Sequence, residues 1–446
     1  MTGVSDDGGP APLRVALLSY RSKPHCGGQG VYVRHLSREL AGLGHRVSVL
    51  SGQPYPELDP GVTLRRIPSL DLYNDADPFR TPPLREWRDA IDAVEVATMW
   101  TAGFPEPLTF SLRALRALRR HRAEFDVVHD NQTLGYGQLG IRALGLPLVT
   151  TIHHPISVDR RLELAAAEGS RRLTLRRWYG FVRMQARVAR RLDPILTVSR
   201  SSAADIGRDF GVPSDRMRIV PLGVDTRYFR PRGGPREPGR IVTIASADAA
   251  LKGVPTLLRA IAKLATERDV RLTVVGRLTG GGATERLIGE LSLGDRVDFV
   301  SGIDDEALGA LLARAEVAVV PSLYEGFSLP AVEAMACATP LVVSRAGALP
   351  EVVGADGTGP AGDAARECAR IVTPGDPEEL AAALGGLLDD PAHRARLGAA
   401  GLRRVQERYT WRAVAIATAR TYTEAMARTA AAGTRRSSRT EGAPPC

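Results

Sequence analysis

Two short segments carry residue types and spacings suited to holding a pyrophosphate and a sugar. The first is Ala245-Ser246-Ala247-Asp248-Ala249-Ala250-Leu251-Lys252-Gly253, followed by Val254-Pro255. An apolar run precedes it and a helical pattern follows, and Pro255 suits a first helical turn. Backbone N–H groups and the helix dipole at such a junction favour a phosphate. Lys252 adds a full positive charge. Lysine is scarce here: Lys23, Lys252 and Lys263 are the only ones among 59 Lys and Arg residues. An ordinary turn with an exposed lysine is the competing account, and that scarcity weakens it.

The second segment is VAVVPSLYEGFSLPAVEAM, Val317 to Met335. An apolar strand ends at Pro321, and a loop then presents Glu325, Gly326 and Phe327. Pro330 opens a helix with Glu333 in its first turn. A carboxylate accepts sugar or ribose hydroxyls in pairs. Gly326 allows a backbone to approach a ligand closely, and the amides near Ser328–Pro330 suit an anion. Glu333 taken alone is equally explained as a complement to the helix dipole. The whole segment is harder to explain that way.

Elements able to position these loops recur along the chain. Leu13–Ser19 is an apolar run followed by Cys26-Gly27-Gly28-Gln29-Gly30 and a helix with Val33, Leu36, Leu40 and Leu43 on one face. Further strands are predicted at Val47–Leu50, Asp126–Asp130, Leu148–His153 and Ile195–Ser199. Residues 155–191 read as a long basic helical segment. Prolines, glycines and charges concentrate around Val212–Arg240, as in an interdomain connector. A second series of strands follows, at Ile241–Ala245, Leu272–Gly276, Val297–Ser301, Val317–Pro321 and Leu341–Ser344. Short apolar strands alternating with helices predict two doubly wound α/β domains, with ligands at the carboxyl ends of the strands. The expected boundaries are a disordered 1–12, domains at 13–213 and 214–408, a helix at 409–430 and a disordered tail at 431–446.

Composition sets the outer limits. The 446 residues suit two domains, and 44% apolar content is that of a globular protein. No run of about 18 apolar residues is present, and the acidic start lacks the pattern of a signal peptide, so a cytoplasmic protein is expected. Cys26, Cys337, Cys368 and Cys446 have no metal or redox spacing, and free thiols are expected. No His/Cys cluster suggests a metal, and nothing implies a cofactor. The G-x-x-x-x-G-K-[ST] phosphate loop is missing, and no G-x-G-x-x-G follows the first strand.

The two donor-half segments resemble family-4 retaining glycosyltransferases of the GT-B fold. GGQGVYVRHLSREL, TTIHH, LTVSRSSAADI, IVPLGVDTRYFRP, AGALPEVVG and RYTWRAVA extend the likeness over roughly residues 13–428. The resemblance implies two Rossmann-like domains facing across a cleft, with the C-terminal helix packing back on the N-terminal domain. It implies a UDP- or GDP-sugar donor, transfer of a hexose-type unit with retention, and no metal. Lys252 and Gly253 would meet the donor diphosphate and Glu333 the ribose. Glu325 would hold the transferred sugar, with Gly326, Phe327, Ser328 and Leu329 lining it. Gly27 and Gly28 would approach the diphosphate from the other domain, and His153 would sit beside the reacting sugar. His129 and Asp130 are weaker candidates for touching the acceptor. The family's usual arginine is replaced by Ala247, and Arg277 is the expected substitute.

Net charge is +9. One basic cluster runs from Arg113 to Arg122 and a denser one from Arg160 to Arg191. In the second, Trp178, Tyr179 and Phe181 interleave with arginines. A peripheral membrane contact through 160–191, suited to a lipid-linked acceptor, competes with a core-packed helix whose arginines face solvent. The basic residues follow no single stripe, so a nucleic-acid partner is not expected. A sugar-nucleotide epimerase on the same scaffold, or a non-catalytic relative, is the alternative to a transferase.

Overall fold

In the computed structural model, residues 11–22, 28–74, 76–245, 249–355 and 367–440 are described. Two compact units are present. Unit 1 comprises residues up to Val198, Ser202–Val220 and Val414 onward, and unit 2 comprises Ser199–Ser201 and Pro221–Ala413.

Unit 1 is built on β1 (Arg14–Ser19), β2 (Arg46–Ser51), β3 (Thr63–Arg66), β4 (Val127–Asn131), β5 (Leu148–Ile152), β6 (Ile195–Thr197) and β7 (Met217–Ile219). They form one sheet in the order β3-β2-β1-β4-β5-β6-β7. Every ladder in it is parallel. β4 and β5 are buried at every position, as in a parallel sheet covered on both faces, and β4 (VVHDN) buries polar side chains along with its two valines. Val128, Ile152, Phe110 and Phe210 belong to the core of this unit.

Unit 2 carries β8 (Glu237–Ile244), β9 (Arg271–Val275), β10 (Val297–Val300), β11 (Ala315–Val320), β12 (Leu341–Ser344) and β13 (Arg370–Val372). Its sheet order is β10-β9-β8-β11-β12-β13, again parallel throughout. Ile241, Leu272, Val317 and Val342 of the sheet meet Leu257, Ile261 and Leu384 of the covering helices.

Three strands escape the sequence reading, namely β3 (TLRR), β7 (MRI) and β13 (RIV). Each is three or four residues long and carries arginine, so apolar patterning does not mark it. The basic segment 155–191 is not one helix but three: Ser157–Ala166, Gly169–Trp178 and Phe181–Ala189. The last helix extends from Trp411 to Thr440, past the end expected for it and into the segment read as a disordered tail. Alanine and arginine there are strong helix formers although the segment offers no core-forming pattern. That helix is fixed within unit 1 by Tyr422, fully buried, whose hydroxyl lies 2.7 Å from His129 Nδ1. Cys337 and Cys368 are free and buried, while Cys26 and Cys446 lie outside the described residues. Among the described residues no helix is long and apolar enough to cross a membrane.

Candidate functional site

In unit 2 the chemistry-bearing loops meet at the carboxyl ends of β8 and β11. Leu323 N donates to Leu251 O at 2.8 Å, which ties the Lys252 turn to the Glu325 loop. Gly253 takes the left-handed conformation, with φ +68°. A Cβ on it would come within 1.9 Å of Pro321 O. Glycine is therefore required there twice over, for the turn and for the close approach. The helix Val254–Leu264 starts directly after it, with Pro255 in its first turn.

Lys252 Nζ lies 2.8 Å from Glu325 Oε1, and the Ser322 hydroxyl is also 2.8 Å from that oxygen. The lysine side chain is 35% exposed and the glutamate 11%, so the ammonium keeps access to solvent while the carboxylate is nearly enclosed. One of the three ammonium donors meets Glu325, which leaves two for a phosphate. The Glu325 backbone is held as well: Ala348 N donates to Glu325 O at 2.9 Å. Gly347 sits so close that a Cβ would lie 2.1 Å from the same oxygen. Gly326 O accepts from Ser199 Oγ at 2.6 Å. Phe327 is buried, edge-on to Tyr409 at 5.7 Å between ring centres.

Ser328 has φ 109° and ψ 87°, a left-handed conformation rare for a residue with a side chain. It caps the helix Leu329–Ala336, its hydroxyl accepting from Ala331 N at 3.4 Å. Such strain costs on the order of 1–3 kcal/mol and persists only where surrounding contacts enforce it. Glu333 lies half-buried on this helix, with no side-chain hydrogen bond or ion pair to a described residue. Burial, and then the charge of Asp305, push its carboxyl up to about 8. Arg277 is exposed just beyond β9, at the same carboxyl edge of the sheet, with its guanidinium unpaired among the described residues. Ala247 lies outside the described residues.

In unit 1, His153 directly follows β5. Its backbone N donates to Gln132 Oε1 at 2.7 Å, and its Nε2 is 2.8 Å from Asn131 Oδ1. Ser202 Oγ donates to its carbonyl at 2.9 Å. The ring meets Tyr32 edge-on, 4.7 Å between centres. Burial, and then repulsion from His154, hold the imidazole down to about 3, so it is neutral at pH 7. Asn131 ends β4 and Gln132 follows it, which puts two polar side chains beside His153. That signal was present in DVVHDNQ, but the sequence reading passed over it.

His129 and Asp130 are not placed to touch an acceptor. His129 is fully buried, and its two ring nitrogens lie 2.7 Å from Tyr422 and Thr151 hydroxyls. Asp130 is fully buried too and accepts from Thr133 N at 3.0 Å, shaping the loop after β4. The phase of a parallel strand was the information missing: a residue at its end points either to the edge or into the core. Gly28 opens the helix Gly28–Gly42, and Gly27 lies outside the described residues.

Two doubly wound parallel units, the second presenting a lysine, two glutamates and a helix start at its carboxyl edge, define a glycosyltransferase of the GT-B fold. The group described as glycosyl transferases group 1 matches residues 225–404, and Glycosyltransferase Family 4 matches residues 26–228. The MMP alpha-(1->4)-mannosyltransferase of Mycolicibacterium hassiacum is 60% identical over 94% of this chain and 100% of its own. A D-inositol 3-phosphate glycosyltransferase of Catenulispora acidiphila is 30% identical over 93% of this chain and 96% of its own. Among solved structures, the sucrose-phosphate synthase of Thermosynechococcus elongatus superposes with a TM-score of 0.66 at 25% identity, covering 93% of this chain and 99% of that one. The chain belongs to the family-4 glycosyltransferases.

Proposed function

We propose that this glycosyltransferase moves a mannosyl residue from a nucleoside-diphosphate donor onto an acceptor 4-hydroxyl, in α linkage and with retention of configuration. The identity to a named α-(1→4)-mannosyltransferase supports the sugar and the linkage. The observation that carries the donor reading is the Lys252–Glu325 pair at the meeting of the two loops. In this reading Lys252, the amides at Gly253 and those at Ser328 and Leu329 bear on the diphosphate, where charge accumulates as the sugar leaves. Glu325 takes hydroxyls of the transferred sugar beside Gly326 and Phe327. Glu333 takes the ribose diol. Arg277 supplies the second cation that Ala247 does not. His153 is a neutral hydrogen-bonding group for the sugar, not a base.

The test is turnover of a panel of donors, including GDP-mannose, UDP-mannose, UDP-glucose and GDP-glucose, with oligosaccharide acceptors that carry or lack a free 4-hydroxyl. A mannose nucleotide is expected to be consumed only with the free 4-hydroxyl present. Turnover of glucose donors alone would overturn the sugar assignment, and isomerisation of a donor without acceptor would overturn the transfer itself.

The raised Glu333 carboxyl makes donor binding depend on pH. The native state favours the protonated form, so its stabilising effect is complete below the ordinary carboxyl range. It is lost as pH rises through about 8. The ribose hydroxyls bind the carboxylate, so binding expels a proton. Nucleoside-diphosphate affinity is expected to rise between pH 6 and 8, by up to about tenfold per pH unit. Calorimetry in buffers of different ionisation enthalpy would register the released proton. Glu333→Gln is expected to bind weakly with a flat profile, and a wild-type profile in that variant would remove Glu333 from the site.

A further inference from the structure

We infer that unit 1 carries an anion site for a soluble molecule with two or more linked phosphate groups. A polar cleft of about 1270 Å³ lies between the three helices of the 155–191 segment and the helix Arg200–Phe210. Among the described residues eight arginines line it, and Asp209 is the single carboxylate. That carboxylate is already shared, accepting from Ser157 Oγ at 2.5 Å, Arg161 at 2.7 Å and Arg208 at 3.1 Å. Three neighbouring acids are also engaged. Asp205 holds Arg208 at 2.5 Å, Glu163 accepts from Tyr179 at 2.8 Å, and Asp159 lies 3.0 Å from His154.

Three of the guanidinium groups, those of Arg160, Arg176 and Arg183, make no hydrogen bond or ion pair to a described residue. They stand on three successive helices. Arginine cannot relieve crowding by losing a proton, and its planar fork matches phosphate oxygens in pairs. One phosphate is small for a cleft of about 1270 Å³ lined by arginines from three helices, whereas linked phosphates match its size.

The aromatic residues of the segment decide between a soluble anion and a bilayer. Trp178 packs inward on Phe104 and Tyr73, with ring centres at 5.1 and 5.6 Å. Tyr179 is buried, and Phe181 lies 5.3 Å from Phe104. Among the described residues of the segment, Leu173 is the exposed large apolar one. A helix lying on a membrane would turn its aromatic anchors outward. Here the arginines form a concave surface and the rings form core.

The test uses full-length protein carrying Lys252→Ala and Arg277→Ala, which removes both proposed donor cations as a competing phosphate site. Tripolyphosphate is titrated calorimetrically into that protein, and into the same protein carrying Arg160→Ala, Arg176→Ala and Arg183→Ala. The partnerless arginines leave no protein group unpaired, so thermal unfolding should be unchanged. Tripolyphosphate is expected to bind the parent, more weakly as salt rises. The triple alanine change should weaken it about 30-fold or more. Triple lysine replacement should fall between, since the charge remains and the fork is lost. Equal affinity in parent and triple alanine protein would overturn the site. So would sedimentation with vesicles of 30% phosphatidylglycerol and 70% phosphatidylcholine in the absence of tripolyphosphate binding. Sugar transfer by the protein with native Lys252 and Arg277 and the three alanines is measured separately, so that failure of the donor assignment and failure of this site are told apart.

Discussion

Lys252→Ala is expected to lower kcat by about 10²–10³-fold, the effect of removing one charged group from a transition state that accumulates negative charge. The diphosphate is charged before reaction as well, so donor KM should rise too, but the departing oxygen gains further charge and the larger loss belongs in kcat. A competing explanation is that Lys252 only steadies Glu325, 2.8 Å away. The double-mutant cycle with Glu325→Gln separates the two. Without lysine the Glu325 carboxylate keeps Ser322 but no cation, so Lys252→Ala should also cost about 1–2 kcal/mol of stability. Glu325→Gln in the same chain should return most of that stability and none of the rate. If Lys252→Ala costs no further rate once Glu325 is already Gln, the ammonium acts through Glu325 and not on phosphate. Single-turnover rates at saturating donor, with thermal melts on the same preparations, supply both readouts.

Much of this site was legible because its parts are local in sequence. Strand, glycine turn, lysine and helix occupy Ile241–Leu264, and strand, glutamate loop and capped helix occupy Val317–Ala336. Apolar runs and a proline mark the edges of each. What brings the two together is tertiary and leaves little trace. The Leu323–Leu251 hydrogen bond joins backbone groups, which any residue type supplies. Gly347 supports Glu325 from across the sheet edge, and in AGALPEVVG it reads only as a loop glycine. His129 and Asp130 failed for a related reason. A polar residue ending a buried parallel strand points either to the functional edge or into the core, and alternation gives no phase when both faces are covered. The inward turn of Trp178, Tyr179 and Phe181 was likewise undecided, since three short helices rather than one carry them.

Gly253→Ala is expected to destabilise unit 2 by about 3–5 kcal/mol and to abolish most transfer at once. Two separate costs act at this position. A left-handed φ of +68° penalises any L side chain, by about 1–2 kcal/mol. The added methyl would also stand 1.9 Å from Pro321 O, a backbone atom that cannot rotate away. Relief requires the Lys252 turn or the start of the Glu325 loop to move, and either displacement separates groups that now meet within 2.8 Å. Gly302→Ala is the control, because Gly302 has a comparable φ of +74° and nothing within 4 Å of its Cβ position. It should show the conformational cost alone, a fall in melting temperature of about 2–8 °C, with transfer retained. Gly253→Ala should fall by about 6–20 °C and lose activity in proportion to the displacement rather than to the unfolded fraction. The discriminating measurement is transfer rate well below the variant's melting temperature. A folded Gly253→Ala protein with wild-type kcat would mean that the turn tolerates movement, and that the close approach to Pro321 does not set the position of Lys252.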